Sequence, residues 1–281
     1  MNHLGKFSVF PYNKYHPLYA KHPIISGEGV ILSDESGKKY TDLSSSTLNM
    51  ALGHRHPDVV QAVQEQLNKV WFVATYFQNP AFLELGKLLV KYAPDEITAV
   101  NMRQCDGADA VETACKMALL HTRHTKILSI RGAWHGETFG TLPLCSLTAY
   151  HRINLQREVY YSDESTLVSL IKLIAVHPDA AAVIIDPVGV SNGVFPPQTL
   201  QNDLQNLRKL CTTYGILLIF DEVQTFGGYM GDSLFAATHF GVVPDIICIG
   251  KALGNGLPLA ATLCRDALRA VISKREREFT Y

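Results

Sequence analysis

Four stretches of the chain place apolar residues at helical spacing. From Pro57 to Val70, the residues Val59, Val63, Leu67 and Val70 form one stripe, and Pro57 suits a first helical turn. Asn79-Pro80 opens a second helix, with Phe82, Leu85, Leu88, Leu89 and Tyr92 in register. Residues 110–120 and 200–214 make the third and fourth, and Gly215 stands where a glycine commonly ends a helix. Between the later helices lie short runs that are apolar on both faces: KILSI at 126–130, AAVIID at 181–186, GILLIFDE at 215–222 and DIICIG at 245–250. Strands of a parallel sheet covered by helices on both sides produce that pattern. The predicted fold is therefore α/β, with a mostly parallel central sheet. The first part of the chain differs: Pro, Gly and Tyr are frequent, and GVILSDESGKKYTD at 29–42 reads as a hairpin around Glu35–Gly37. The expected division is an N-terminal arm and small-domain segment at 1–48 and a large domain at 49–281.

Composition narrows the class. Of 281 residues, 47% are hydrophobic and 18% charged, which supports a sizeable core and argues against disorder. The formal net charge is −1 and no Lys/Arg run marks a groove, so general nucleic-acid or membrane-surface binding is not expected. The cysteines at 105, 115, 145, 211, 248 and 264 form no C-x-x-C pair, and most fall in apolar patterns. Buried, reduced thiols in a cytoplasmic protein are the expectation. The opening MNHLGKFSVFPYNKYHP lacks the apolar stretch of a signal peptide, and no run approaches the roughly 18 apolar residues of a membrane span.

Sheets of this kind bind ligands beyond the carboxyl ends of their strands. The conspicuous polar residues fall there: Asp186 after AAVII, Asp221-Glu222 after GILLIF, Lys251 after DIICIG, and GAWHGET after KILSI. A partly desolvated lysine loses preference for its charged form, and a neutral amine attacks carbonyls. A lysine that merely reaches solvent at a strand end remains the plainer alternative. A carboxylate ending an apolar strand calls for a cationic or donor partner; for Asp221 a helix cap or a local ion pair would also serve. Lys251 with Asp221 matches the needs of pyridoxal phosphate, an amine for its aldehyde and an acid for its ring nitrogen. DGADAVETACKMAL leads with a glycine straight into a helix, whose first N–H groups make an anion site or an ordinary cap. Trp134 could stack on a planar ring or serve as core.

In combination these segments resemble the class III pyridoxal-phosphate aminotransferases of fold type I. IFDEVQTFGGYMG, PDIICIGKALGNGLP, DGADAVETACKMA and LGHRHPDVVQAVQEQL carry the likeness in order and spacing. NKYHPLYA, ETACK and PDIICIGKAL have the look of the ornithine aminotransferase branch. The resemblance implies that Lys251 holds the cofactor as a Schiff base and shuttles the proton, and that Asp221 keeps the ring nitrogen protonated. Trp134 and Val223 would cover the two ring faces, and Gln224 would reach the phenolic oxygen. Gly107 and Ala108 would offer backbone N–H groups to the phosphate. Thr280 would cross to the phosphate of a partner subunit in a homodimer. Tyr15 would lie near the substrate. Amine or amino-acid donors and an oxo-acid acceptor, commonly 2-oxoglutarate, are the implied substrates; no metal is implied.

Three positions depart from that pattern. Glu137 stands where the ornithine and aminobutyrate branches carry an arginine for a substrate carboxylate, which makes Glu137 a substrate-facing residue of opposite charge. Ser191 replaces a glutamate of those branches. Asp106 sits beside the proposed phosphate cradle, where an extra anion weakens phosphate binding unless it points away. The family also continues past FTY with a C-terminal small domain, so the large domain is expected to be followed by a missing or truncated segment. Two alternatives stay open on the sequence: an aminomutase or racemase of the same fold, and a catalytically silent homologue acting as an assembly partner.

Overall fold

The computed structural model describes residues 23–74, 77–146 and 158–273. The described residues form two compact units, one within 23–47 and 52–69, the other within 48–51 and 70–273.

In the first unit, β1 (Ile24–Glu28), β2 (Ile31–Asp34) and β3 (Lys39–Thr41) make a three-stranded antiparallel sheet, and a helix runs over Pro57–Leu67. The hairpin anticipated around Glu35–Gly37 joins β2 to β3. Asp34 organises its turn, accepting from the N–H groups of Ser36 and Lys38 and from the hydroxyls of Ser36 and Tyr40. Those donors, the Ser36 hydroxyl first, hold its carboxyl down at about 2.

The second unit is built on a seven-stranded sheet. Its strands are β4 (Ile97–Gln104), β5 (Ile127–Ser129), β6 (Val159–Tyr161), β7 (Ala182–Ile185), β8 (Leu217–Asp221), β9 (Ile246–Ile249) and β10 (Ala260–Arg265), in the order β4-β10-β9-β8-β7-β5-β6. Pairings among β5 to β9 are parallel, and β10 lies antiparallel to both neighbours. The four apolar runs became β5, β7, β8 and β9. Residues along these strands alternate between two cores: Val183, Ile185, Leu218, Phe220, Ile247 and Ile249 face one, and Ala182, Ile184, Ile219, Ile246 and Cys248 the other. Both faces are covered, which is why the runs show no polar alternation. Helices over Pro80–Tyr92, Gly107–Thr122, Leu167–Val176 and Pro197–Tyr214 belong to this unit, the last capped by Gly215 at φ 69°. The mostly parallel α/β prediction therefore holds. Strands β4, β6 and β10 and the Leu167–Val176 helix escaped the sequence pattern.

Candidate active site

The parallel strands end side by side, and the chain after each end carries a polar residue. Asp221 closes β8, Lys251 follows β9 by one glycine, and Asp186 follows β7. Asp221 is buried, and both its oxygens are used: Oδ1 accepts the Val223 N–H at 3.1 Å, and Oδ2 lies 2.7 Å from Nδ1 of His135. His135 is itself buried, and its Nε2 has no hydrogen-bond partner among the described residues. The described neighbours thus fit the tautomer that donates from Nδ1 to the carboxylate.

Lys251 is half-buried, and its backbone sits at φ 40°, a left-handed conformation uncommon for lysine and typical of functional positions. Burial pushes its ammonium below the usual 10.5, while the negative charges of Asp221 and Asp186 pull the other way. Asp186 is buried and accepts three N–H groups, from Val188, Gly189 and Val190, at 2.9–3.0 Å. Burial still carries its carboxyl up to about 6. Glu222, next to Asp221, is fully enclosed and takes the N–H groups of Ala236 and Ala237 at 2.6 and 2.9 Å, which ties the end of β8 to the chain fifteen residues on. Burial raises it to about 8.

The Gly107–Thr122 helix starts just beyond β4. Asp106 is its N-cap, accepting the Asp109 N–H at 3.1 Å, and the Asp106 carbonyl takes the Ala110 N–H at 3.3 Å. The Asp106 carboxylate is thereby turned to the third N–H of the helix, while the N–H groups of Gly107 and Ala108 find no acceptor among the described residues. This accounts for an anionic residue beside an anion cradle. The cradle is also tightly built. A Cβ on Gly107 would lie 2.5 Å from Cγ1 of Val223, and one on Gly250 would lie 3.3 Å from Cα of Gly107. Gly107→Ala is expected to displace Val223 and weaken binding of an anionic ring ligand by roughly tenfold. Gly107→Ala with Val223→Ala should recover part of the loss, read by fluorescence titration with pyridoxal phosphate.

Gly107, Ala108, Trp134, Glu137, Asp221, Val223, Gln224 and Lys251 line one cavity of about 700 Å³. Gln224 donates from Nε2 to Ser191 Oγ at 3.0 Å. Tyr15 and Thr280 lie outside the described residues. Sequence reasoning missed His135. Its only signal was a histidine within GAWHGET between two glycines, with no pattern to show that it turns inward. Five cysteines are buried thiols as expected, and Cys105 is exposed at the cavity edge. No described helix is long and apolar enough to cross a membrane, and the described residues hold no cluster suited to a metal ion.

A desolvated lysine, a buried carboxylate and two unused helix N–H groups facing one cavity fit the aldehyde, ring nitrogen and phosphate of pyridoxal phosphate, so the site has the chemistry of an enzyme of that cofactor. The sequence model of the class-III aminotransferases matches residues 14–281. The acetylornithine aminotransferase of Methanopyrus kandleri is 34% identical over 279 residues, covering 96% of this chain and 69% of the relative. A transaminase structure from the marine bacterium Virgibacillus superposes with a TM-score of 0.83 at 24% identity, over 92% of this chain and 62% of that one, and supports the fold. An amine transaminase from an uncultivated Pseudomonas species, solved with pyridoxal phosphate bound, gives 0.82 at 27% identity, over 95% and 67%. The chain belongs to the class-III aminotransferases, whose cofactor is pyridoxal 5′-phosphate. It spans about two thirds of the length of these relatives.

Proposed function

We propose that this chain carries the cofactor site of a transaminase that moves an amino group from an amine or amino-acid donor to an oxo acid, through a Schiff base at Lys251. The observation that carries the reading is the convergence of Lys251, Asp221 and the start of the Gly107–Thr122 helix on one cavity. Bound pyridoxal phosphate supplies an aldehyde and an electron-accepting ring. The residues supply the rest. Lys251, whose charged form burial disfavours, provides the amine and afterwards a base within the cavity. Asp221, aimed by His135 and the Val223 N–H, presents a negative charge to the ring nitrogen. Trp134 and Val223 would flank the ring, Gln224 would reach its phenolic oxygen, and Gly107 and Ala108 would hold the phosphate.

In this reading residues 49–281 form the cofactor domain and 1–48 an arm, two copies pair, Thr280 reaches the partner's phosphate and Tyr15 nears the substrate. Pairing is supported by large apolar side chains left in solvent, including Trp71 and Phe72, each 81% exposed, and Phe139. A cytoplasmic setting is supported by cysteines used as buried thiols. The test is an absorbance spectrum of the protein loaded with pyridoxal phosphate. An amine donor should bleach the bound chromophore, and an oxo acid such as 2-oxoglutarate should restore it. A spectrum unmoved by every donor overturns the reading.

The cavity's charge bears on the donor. Its described lining has three carboxylates, Asp106, Glu137 and Asp221, against Lys251, and no arginine. Donors with a second cationic group suit that field better than donors with a distal carboxylate. Single-turnover bleaching by 1,5-diaminopentane should outpace 5-aminopentanoate. Glu137→Gln should narrow the gap by roughly three- to tenfold, an effect limited by the exposure of Glu137. A preference for 5-aminopentanoate in the wild type rejects the donor assignment while leaving transamination in place.

A further inference from the structure

We propose that Cys145 is a positioning residue for this site: its thiol clamps the backbone of the segment that carries Trp134, His135 and Glu137. The inference rests on the reading of the cavity as the pyridoxal-phosphate site.

The segment after β5 is irregular, yet five consecutive residues, 134–138, line the cavity. Backbone polar groups outside regular structure still need partners where water is excluded. Two of them meet at one atom. The His135 N–H donates to Cys145 Sγ at 3.2 Å, and the thiol donates to the Gly136 carbonyl at 3.2 Å, with the Thr141 carbonyl farther off at 3.9 Å. Accepting and donating together requires a neutral thiol. Cys145 is 1% exposed, and burial pushes its thiol above the usual value of 9, reinforced by the charges of Asp221 and Glu137 and opposed by the His135 N–H; the net rise keeps the thiol neutral.

The clamp is anchored at its own base. Cys145 follows the short 3-10 turn Leu142–Leu144, and its N–H bonds to the Leu142 carbonyl at 3.1 Å. Ser129 Oγ, at the end of β5, holds the Leu144 carbonyl at 3.0 Å. The segment is also wedged at Gly136. Gly136 sits at φ 105°, and a Cβ there would come 2.4 Å from Cβ of Ala108, in the first turn of the cradle helix. The thiol and that helix thus both restrict the segment. His135 can then reach Asp221 at 2.7 Å. A run of contacts connects the central sheet through Ser129, Leu144, Cys145 and His135 to the carboxylate that faces the ring. A serine would not replace the thiol. Its oxygen sits on a shorter bond, and both partners already lie at the upper edge of reach for an oxygen.

The experiment compares Cys145→Ala and Cys145→Val with Cys211→Ala. Cys211 is a fully buried thiol in the Pro197–Tyr214 helix that lines none of this cavity, so its loss controls for simple destabilisation. Each protein is titrated with pyridoxal phosphate, and the absorbance of the bound chromophore is followed against pH. The Cys145 variants should bind the cofactor roughly tenfold more weakly and shift the pH at which its absorbance changes. Cys211→Ala should lose a similar amount of thermal stability with neither effect. If Cys145→Ala yields too little folded protein, Cys145→Val, which fills the space without hydrogen bonding, carries the comparison. Cys145 variants indistinguishable from Cys211→Ala in affinity and pH response overturn the proposal. Wild-type protein that does not bind pyridoxal phosphate overturns the site reading, and the proposal with it.

Discussion

Replacing Lys251 with methionine is expected to abolish turnover and, in the same molecule, to raise the thermal stability of the cofactor-free protein. The first effect follows from the amine's proposed part as both attachment point and base, and a loss of roughly 10,000-fold is the expected scale. The second follows from burial. The folded protein disfavours the ammonium, with desolvation outweighing the attraction of Asp221 and Asp186. Between the depressed folded value and the usual 10.5, the unfolded chain therefore binds more protons, and stability rises with pH. Methionine has similar length and no charge to desolvate, so below that window the variant avoids the penalty. Its melting temperature without cofactor should exceed wild type by roughly 2–5 °C near neutral pH, and the gap should shrink as pH approaches 10.5. Melting curves of both proteins at two pH values check this. A methionine variant less stable than wild type at neutral pH would mean that the two carboxylates hold the ammonium more strongly than burial repels it.

The parts of the molecule legible in the sequence are those where one physical demand decides the pattern. Strands β5, β7, β8 and β9 are covered on both faces, so their residues are apolar without interruption and could be picked out directly. Strand β4 mixes Asn101, Arg103 and Gln104 with apolar residues and is only partly buried, so its period was ambiguous. Strand β10 is almost wholly buried, but it follows the glycine-rich turn after Lys251 so closely that no boundary marks its start. At the site, the strand-end rule located Asp221 and Lys251 because position along a parallel strand fixes which end a residue occupies. That rule gives no direction for side chains on irregular segments. His135 and Cys145 come together from ten residues apart through a turn whose course depends on Ser129 and Ala108, and neither contact has a periodic signature. Asp106 shows the opposite limit. Its charge beside the cradle was visible, but only the geometry assigns it to the Asp109 N–H as a cap.

Asp221→Asn should lower turnover by roughly 1,000-fold while keeping the shape of the site. The amide can still accept the Val223 N–H at Oδ1. It cannot carry the negative charge that favours a protonated ring nitrogen, so cofactor affinity should fall as well. The substitution has a second consequence specific to this structure. The asparagine NH₂ would face Nδ1 of His135, which must then accept, and the imidazole proton moves to Nε2. That nitrogen is buried without a partner among the described residues, so the tautomer change costs about 1–3 kcal/mol. Asp221→Asn alone should therefore melt below wild type. Adding His135→Phe removes the mispaired proton and should recover part of the stability, yet none of the activity, since the missing charge is not restored. Melting curves and single-turnover spectra of the two single variants and the double variant separate the contributions. Recovery of both stability and turnover in the double variant would show that the histidine, rather than the carboxylate charge, limits the single substitution.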